Sequence, residues 1–385
     1  MDIIRIAFII KTESLDYDDR VRKEILTVQK LYPYIKFKIF VMLSDNIESE
    51  GETSYGIPFK SVYIKSRYKY RSTERIYLKA YEFHKTINYN IKNYDVVWCA
   101  DVETSIIALL ARNKNIIWDL HELPAVFMSN YLSKLFLRIL FRKCKLVLHA
   151  NQQRIDYLKR AKIINDTSKH IAVRNFPNFD DVDDIYDDLY YKFTNWKEDK
   201  KCVYLQGLNN DGRAAYESIV AVLQEPKLVA VIVGGFDMSI KERLINEFGV
   251  EVLKDRLFFT GKISQLKTPQ YIKQCFMSLV FYKNTSPNNF YCEANRFYQA
   301  VIMGLPVLVG NNPTMKDLVE KYNFGLSIDD DGSNISVISD GIKTLMKNYE
   351  FFLQNNERYR EELLWEKQEP VVRQIVDRIV MKANY

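Results

Sequence analysis

The feature that most limits the fold of this chain is a rhythm that runs twice along its 385 residues. Short apolar runs rich in β-branched and aromatic residues alternate with amphipathic segments. In the first half, Ile3–Ile10, Phe37–Met42, Asp95–Cys99, Asn115–Asp119 and Lys145–Ala150 read as strands. The intervening Arg20–Leu31 and Thr104–Ala111 have helical spacing. Strands separated by helices form parallel β-α-β units. A second series follows with Lys201–Leu205, Leu228–Val233, Leu257–Thr260, Ser278–Phe281 and Val307–Val309, and with a helix at Ala214–Leu223. A chain of this length exceeds one ordinary core, so two domains are expected.

The break between the series lies at Asn175–Lys200. Asn175-Phe176-Pro177-Asn178 is followed by six aspartates between Asp180 and Asp188, a composition that predicts a linker. The expected organisation is an N-terminal Rossmann-like domain at 1–175, an acidic linker at 176–200, a C-terminal Rossmann-like domain at 201–365 and a terminal helix at 366–385. Val371–Lys382 supplies that helix with an amphipathic pattern. Two doubly wound α/β domains facing a cleft would bind ligands beyond the carboxyl ends of their strands. Asp181-Val182-Asp183 has the Asp-x-Asp form of a metal site but sits inside the aspartate run, so it reads as solvated, and no metal is expected.

Composition removes several function classes. An apolar fraction of 47% and a charged fraction of 27% are those of a globular protein. No apolar run approaches the roughly 20 residues of a membrane span, and the start of the chain lacks the layout of a signal peptide. The five cysteines show no metal spacing and read as reduced core residues, which suits the cytoplasm. The net charge of +6 is the sum of +11 over residues 1–175 and −5 over residues 176–385. Basic residues concentrate at Lys60–Lys92, where Lys65, Arg67, Lys69, Arg71 and Arg75 alternate with tyrosines, and at Phe127–Lys145. Such stretches are either solvated faces or surfaces for anionic lipid or a lipid-linked acceptor on the inner side of a membrane. No nucleic-acid-binding module is recognisable, so nucleic acid is not an expected partner.

Several loops carry residues suited to phosphate chemistry. Gly207 and Gly212 bracket the loop after the first strand of the second series, and Arg213 closes it. Glycines let backbone N–H groups approach a phosphate, and an arginine can pair with its oxygens. Residues 284–306 form a polar loop, a short helix containing Asn295-Arg296-Phe297-Tyr298-Gln299, and the turn Gly304-Leu305-Pro306 before a strand. A polar loop at a helix N-terminus favours an anion. Gly261-Lys262-Ile263 ends another strand. In the first half, Trp118-Asp119-Leu120-His121-Glu122 follows a strand, and Asp19-Arg20-Val21-Arg22-Lys23-Glu24 opens the first helix. No Gly-x-Ser-x-Gly, His-Glu-x-x-His or Walker-type motif is present.

Together these segments resemble the GT-B glycosyltransferases, especially glycosyltransferase family 4. The resemblance implies transfer of a sugar from a nucleotide diphosphate donor, a UDP-sugar, to a glycan or lipid-linked acceptor in surface polysaccharide synthesis. It further implies retention of configuration, with neither metal nor cofactor. The donor-phosphate loop of that family usually has two basic residues; here Leu208 replaces the first, Arg213 stands at the second, and Arg296 is the candidate replacement cation. Gly207, Lys262, Ile263, Asn295 and Gln299 would line the donor, with Gln299 standing where the family has a ribose-binding glutamate. Tyr291 replaces a second glutamate, and nearby Glu293 either substitutes for it or caps a helix. His121 would contact a sugar hydroxyl or move a proton. Asp19 and Arg20 would face the acceptor, or Asp19 would be a helix N-cap. The rival readings are a nucleotide-sugar 2-epimerase, against which the four histidines weigh, and a catalytically silent GT-B subunit that binds glycan or a partner enzyme.

Overall fold

A computed structural model describes residues 3–16, 18–70, 74–178 and 186–380, apart from the side chain of residue 126. Arg71 and the Asp181-Val182-Asp183 motif lie outside the described residues. The chain divides into two compact units, one of Met1–Asn175 with Gln368–Tyr385 and one of Phe176–Lys367.

The first unit is built on β1 (Ile4–Lys11), β2 (Ile35–Met42), β3 (Ser49–Glu52), β4 (Pro58–Ser61), β5 (Val96–Ala100), β6 (Asn115–Leu120), β7 (Leu146–His149) and β8 (His170–Ala172). Their order in the sheet is β3-β4-β2-β1-β5-β6-β7-β8. All pairings are parallel except β3 with β4. The core is aromatic and β-branched, with Phe8 stacked on Trp98 at 5.5 Å. The helix Glu369–Val380 belongs to this unit. Its Glu369 meets Lys30 at 2.5 Å, and Tyr32 donates to Asp377 at 2.5 Å. Part of the basic stretch at Lys60–Lys92 is committed to the fold: Lys79 is buried, and the Arg67 guanidinium donates to the Leu43 carbonyl.

The second unit contains β9 (Lys201–Gln206), β10 (Leu228–Val233), β11 (Leu257–Gly261), β12 (Met277–Val280), β13 (Val307–Val309) and β14 (Gly325–Ser327). The sheet runs β11-β10-β9-β12-β13-β14 and is parallel throughout. Alternate residues of β9 feed different cores. Val203 and Leu205 join the helix Ala215–Leu223 on one side, and Cys202 and Tyr204 join Tyr271 and Phe297 on the other. This two-sided burial is why the strands read as unbroken apolar runs.

The segment expected to be a linker does more than connect. Asp187 caps a helix at Asp188–Lys197 by accepting from the Tyr190 N–H at 2.9 Å. Tyr190, Phe193 and Trp196 recur at helical spacing, and Phe193 is fully buried against Phe258 and Tyr271. The preceding aspartates conceal this apolar stripe in a reading by composition.

Candidate nucleotide-sugar site

In the second unit, strand order reverses between β9 and β12. The first three strands lie to one side and the last three to the other. Loops diverge at such a reversal and leave a crevice beyond the carboxyl ends, where ligands of open α/β sheets bind. Arg296 spans this point. It is the second residue of the helix Asn295–Ile302, whose inward face is otherwise apolar. One guanidinium nitrogen donates to the Gln206 carbonyl at the end of β9. Another donates to the Phe281 carbonyl just beyond β12 at 2.9 Å.

Arg213 reaches the same place from the loop after β9. Its guanidinium donates to the Gly207 carbonyl at 2.6 Å. Gly207 is required there: its φ is +66°, and a Cβ would lie 2.6 Å from Arg213 Nη1. Both guanidinium carbons face the Tyr282 ring, Arg296 at 5.0 Å and Arg213 at 5.7 Å from its centroid. Among the described residues neither guanidinium pairs with a carboxylate. Burial lowers the pKa of Arg296, Tyr282 offsets this in part, and the like charge of Arg213 lowers it further. An arginine nonetheless stays protonated at neutral pH. Two uncompensated cations at a crevice create a strong demand for an anion.

Unpartnered polar atoms add to that demand. Arg296 Nε, Gln206 Oε1 and Gln299 Oε1 are buried without hydrogen-bond partners among the described residues. The helix Asn295–Ile302 has Ala294 at its N-cap and so no side-chain cap. Its positive dipole end faces the same crevice, while the Phe297 N–H turns back to the Ala294 carbonyl at 2.9 Å. Asn295 is exposed at this end.

The neighbouring strand ends extend the site. Gly207 N–H donates to Val233 O, and Gly234 N–H donates to Gly261 O, each at 3.0 Å. The Lys262 stem passes beside Gly235, while the Ile263 side chain packs into the core below and leaves its backbone in the turn. Glu293 is held from within, accepting from the Tyr298 hydroxyl. It therefore anchors the start of the helix rather than standing free as a second family glutamate would.

The first-unit residues form a different kind of cluster. His121 follows β6, with Nδ1 3.1 Å from Asp101 and Nε2 3.4 Å from Asp119. Arg20 meets the other oxygen of Asp119 at 2.7 Å, Glu24 at 3.1 Å and the Val173 carbonyl at 2.7 Å. Arg20, Glu24 and Asp119 are all buried. Burial opposes charge on His121, but Asp101 and Asp119 outweigh it and raise its pKa well above the ordinary histidine value. Arg20 and His121 overcome burial at Asp119 and hold it ionised. Burial pushes Glu24 well up, with the Asp119 charge adding to it.

This geometry corrects two expectations. Arg20, expected to face acceptor, is an internal counter-ion. His121 has a carboxylate near each ring nitrogen, Asp101 and Asp119, which favours its charged, proton-donating form. The N-cap of the first helix is Asp18, which accepts from Val21; Asp19 instead pairs with Arg22 at 3.1 Å and Lys23 at 2.5 Å. Sequence reasoning missed Tyr282 and Asp101, and singled out the segment of Asp119 without giving that residue a role. Asp119 left a signal, an ionisable residue inside an otherwise apolar strand.

No protein-family model matches the chain, and no curated protein sequence matches it. Solved structures do. Sucrose-phosphate synthase from Thermosynechococcus elongatus aligns over 98% of this chain and all of its own, with TM-score 0.78 and 15% identity. HepE of Anabaena, in complex with UDP and glucose, aligns over 97% of this chain and 99% of its own, with TM-score 0.70 and 13% identity. WaaG, a glycosyltransferase involved in lipopolysaccharide biosynthesis, aligns over 95% and 99%, with TM-score 0.63 and 12% identity. At these identities the likeness is one of architecture, and it identifies the fold of this chain as GT-B, with two Rossmann-like units.

Proposed function

We propose that this protein is a glycosyltransferase whose second unit binds a nucleotide diphosphate sugar of the UDP class. The observation that carries the reading is the convergence of Arg213 and Arg296 on Gly207 without a carboxylate partner. In the transfer, the bond from the anomeric carbon to the β-phosphate oxygen breaks, one forms to the oxygen of an acceptor hydroxyl, and that hydroxyl's proton passes to the departing diphosphate. Negative charge grows on the departing diphosphate. Fixed cations and helix N–H groups aimed at that charge lower the barrier without reorganising. The GT-B likeness supports the reading, since HepE was solved with UDP and glucose.

The finer parts follow from the resemblance: a hexosyl group, retention of configuration, no metal or cofactor, and a glycan or lipid-linked acceptor in polysaccharide synthesis. His121, as a held imidazolium, would act as a positioning residue in the first unit. The helix Tyr131–Lys143 supports a peripheral place on an anionic membrane surface facing the cytoplasm. It exposes Tyr131, Leu132, Leu135 and Ile139 among Lys134, Arg138, Arg142 and Lys143. Among the described residues, no helix is long and apolar enough to cross a membrane.

Calorimetry with UDP-, GDP- and CMP-sugars, coupled to assay of released nucleotide, tests the proposal. Binding of one nucleotide-sugar class with turnover on an acceptor is the expected result, and no binding to any donor would refute it. Gln299 favours one alternative, the silent subunit, because an amide lacks the charge with which a glutamate would hold ribose hydroxyls. Donor binding without turnover on any acceptor would select that alternative.

A further inference from the structure

The first unit contains a groove on one face of its sheet, beside the starts of β1 and β5. Arg5 lies near the start of β1, opposite Lys36 of β2, and Ile9 lies opposite Phe40. Phe40 is in turn opposite Lys60 of β4. Side chains alternate along a strand, and partners in register share a face, so Arg5, Lys38, Phe40 and Lys60 project from the same face of the sheet. With Tyr89, Asn90, Asn93 and Tyr94 they line a groove of about 300 Å3. That is the lower end of the size range for small-molecule sites.

Its lining combines aromatic rings, amides and cations. The hydroxyls of Tyr89 and Tyr94, the amides of Asn90 and Asn93 and the Arg5 guanidinium make no side-chain hydrogen bond among the described residues. Glu50 is the sole carboxylate in the lining, and it lies 3.7 Å from Lys38 and 3.4 Å from Lys60. Glu48 also lies 3.4 Å from Lys60, and Asp95 accepts from the Arg5 backbone N–H. Lys92 sits 3.9 Å over the Tyr89 ring at the rim. The Tyr94 ring packs edge-on against Phe40 at 5.8 Å, which fixes the floor.

The geometry points to a second, non-catalytic binding groove for an acidic oligosaccharide, one bearing uronate carboxylates. Aromatic rings offer flat apolar faces for the C–H side of a sugar, and the amides and hydroxyls match its hydroxyl groups. Arg5 supplies a planar fork for a carboxylate and has no carboxylate partner for its guanidinium among the described residues, whereas Glu48 and Glu50 already answer the charge of Lys38 and Lys60. A concave pocket takes a single projecting sugar rather than a flat membrane surface. Such a groove would hold a growing or finished chain against the face of the sheet. It is independent of the donor reading, because UDP binding is assigned to the other unit and is measured separately.

Titration of the whole protein with trigalacturonate, maltotriose and inorganic phosphate, read by calorimetry, tests this. Trigalacturonate is expected to bind about tenfold or more tighter than either comparator, a difference of about 1.4 kcal/mol. Tyr89→Ala, at an exposed position, and the double variant Arg5→Ala/Asn93→Ala should each weaken trigalacturonate and leave UDP affinity unchanged. Absence of trigalacturonate binding, or equal affinity in the variants, would overturn the inference. Phosphate binding as tightly as trigalacturonate would reduce the groove to a simple anion site and overturn the sugar assignment. Loss of binding to phosphatidylglycerol vesicles in Tyr89→Ala, with trigalacturonate unaffected, would reassign the groove to a membrane.

Discussion

Both units gather charged side chains at the carboxyl ends of parallel strands, yet the two sets are balanced in opposite ways. In the first unit, Arg20 and His121 are surrounded by Asp101, Asp119 and Glu24, and each cation has a carboxylate within ion-pair reach. In the second, Arg213 and Arg296 converge with only carbonyl oxygens and the Tyr282 ring as partners among the described residues. The first cluster pairs its cations with carboxylates of the same unit, although Glu24 and His121 keep buried polar atoms without hydrogen-bond partners among the described residues. The second leaves its charge without a carboxylate among the described residues, as the proposed diphosphate site requires. Residue type and position at a strand end therefore do not distinguish a structural cluster from a binding one; local charge balance does.

The largest test removes a charge from the balanced cluster. Asp119→Ala would leave Arg20 buried without its main counter-ion, and such a loss costs roughly 3–5 kcal/mol. Urea unfolding should show that drop, while UDP binding by the remaining folded protein should be unchanged. Equal loss of UDP affinity in the folded fraction would break the separation drawn between the clusters.

A second test uses the other histidines of the first unit. His149 Nε2 lies 2.9 Å from His170 Nδ1, both rings are buried, and one must donate while the other accepts. Burial lowers both pKa values, that of His170 from 6.5 to about 4, with the neighbouring charge of Lys169 adding to it. Above pH 6.5 both states are neutral and the full stability is present. As pH falls from 6.5 toward 4, the unfolded chain takes up a proton that the native pair refuses, so stability declines. For His170 the decline amounts to about 3 kcal/mol once the pH has fallen below both of its pKa values. Unfolding of wild type and His170→Phe at pH 7.5 and pH 4.5 should show a smaller acid loss in the variant. An equal loss would place the acid sensitivity elsewhere.

The unbalanced cluster responds in binding. Arg213→Ala should weaken UDP by about 1.5–3 kcal/mol, the scale of a hydrogen bond to a charged group, and weaken uridine much less. Equal losses for UDP and uridine would show that Arg213 does not read the phosphates. Arg296→Ala should weaken UDP as well and also lower stability, because its two carbonyl partners at the ends of β9 and β12 lose their donor.

The smallest effect concerns Gln299. Gln299→Glu would restore a charged acceptor in the helix and should tighten UDP by about 1 kcal/mol. Unchanged affinity would move the ribose away from this residue.

Much of this protein is legible along the chain. The two alternating series give two parallel sheets because burial on both faces demands unbroken apolar strands, and Val203 to Leu205 illustrate it. The loop from Gly207 to Arg213 and the helix start at Arg296 stand out for the same local reason: glycine, cation and helix N-terminus are properties of short segments. What stayed hidden depends on partners distant in sequence. Asp187 to Trp196 reads as acidic and polar until Phe193 meets Phe258 and Tyr271. Arg20 looks like a free cation until Asp119, 99 residues away, closes on it. His121 looks like a base until two strand ends bring a carboxylate to each of its nitrogens. Backbone periodicity is local, so the sequence by itself determined the layers and the positions of their loops. Charge balance depends on distances across strands and helices, so only the tertiary structure decided which cations have a carboxylate partner and which have none among the described residues.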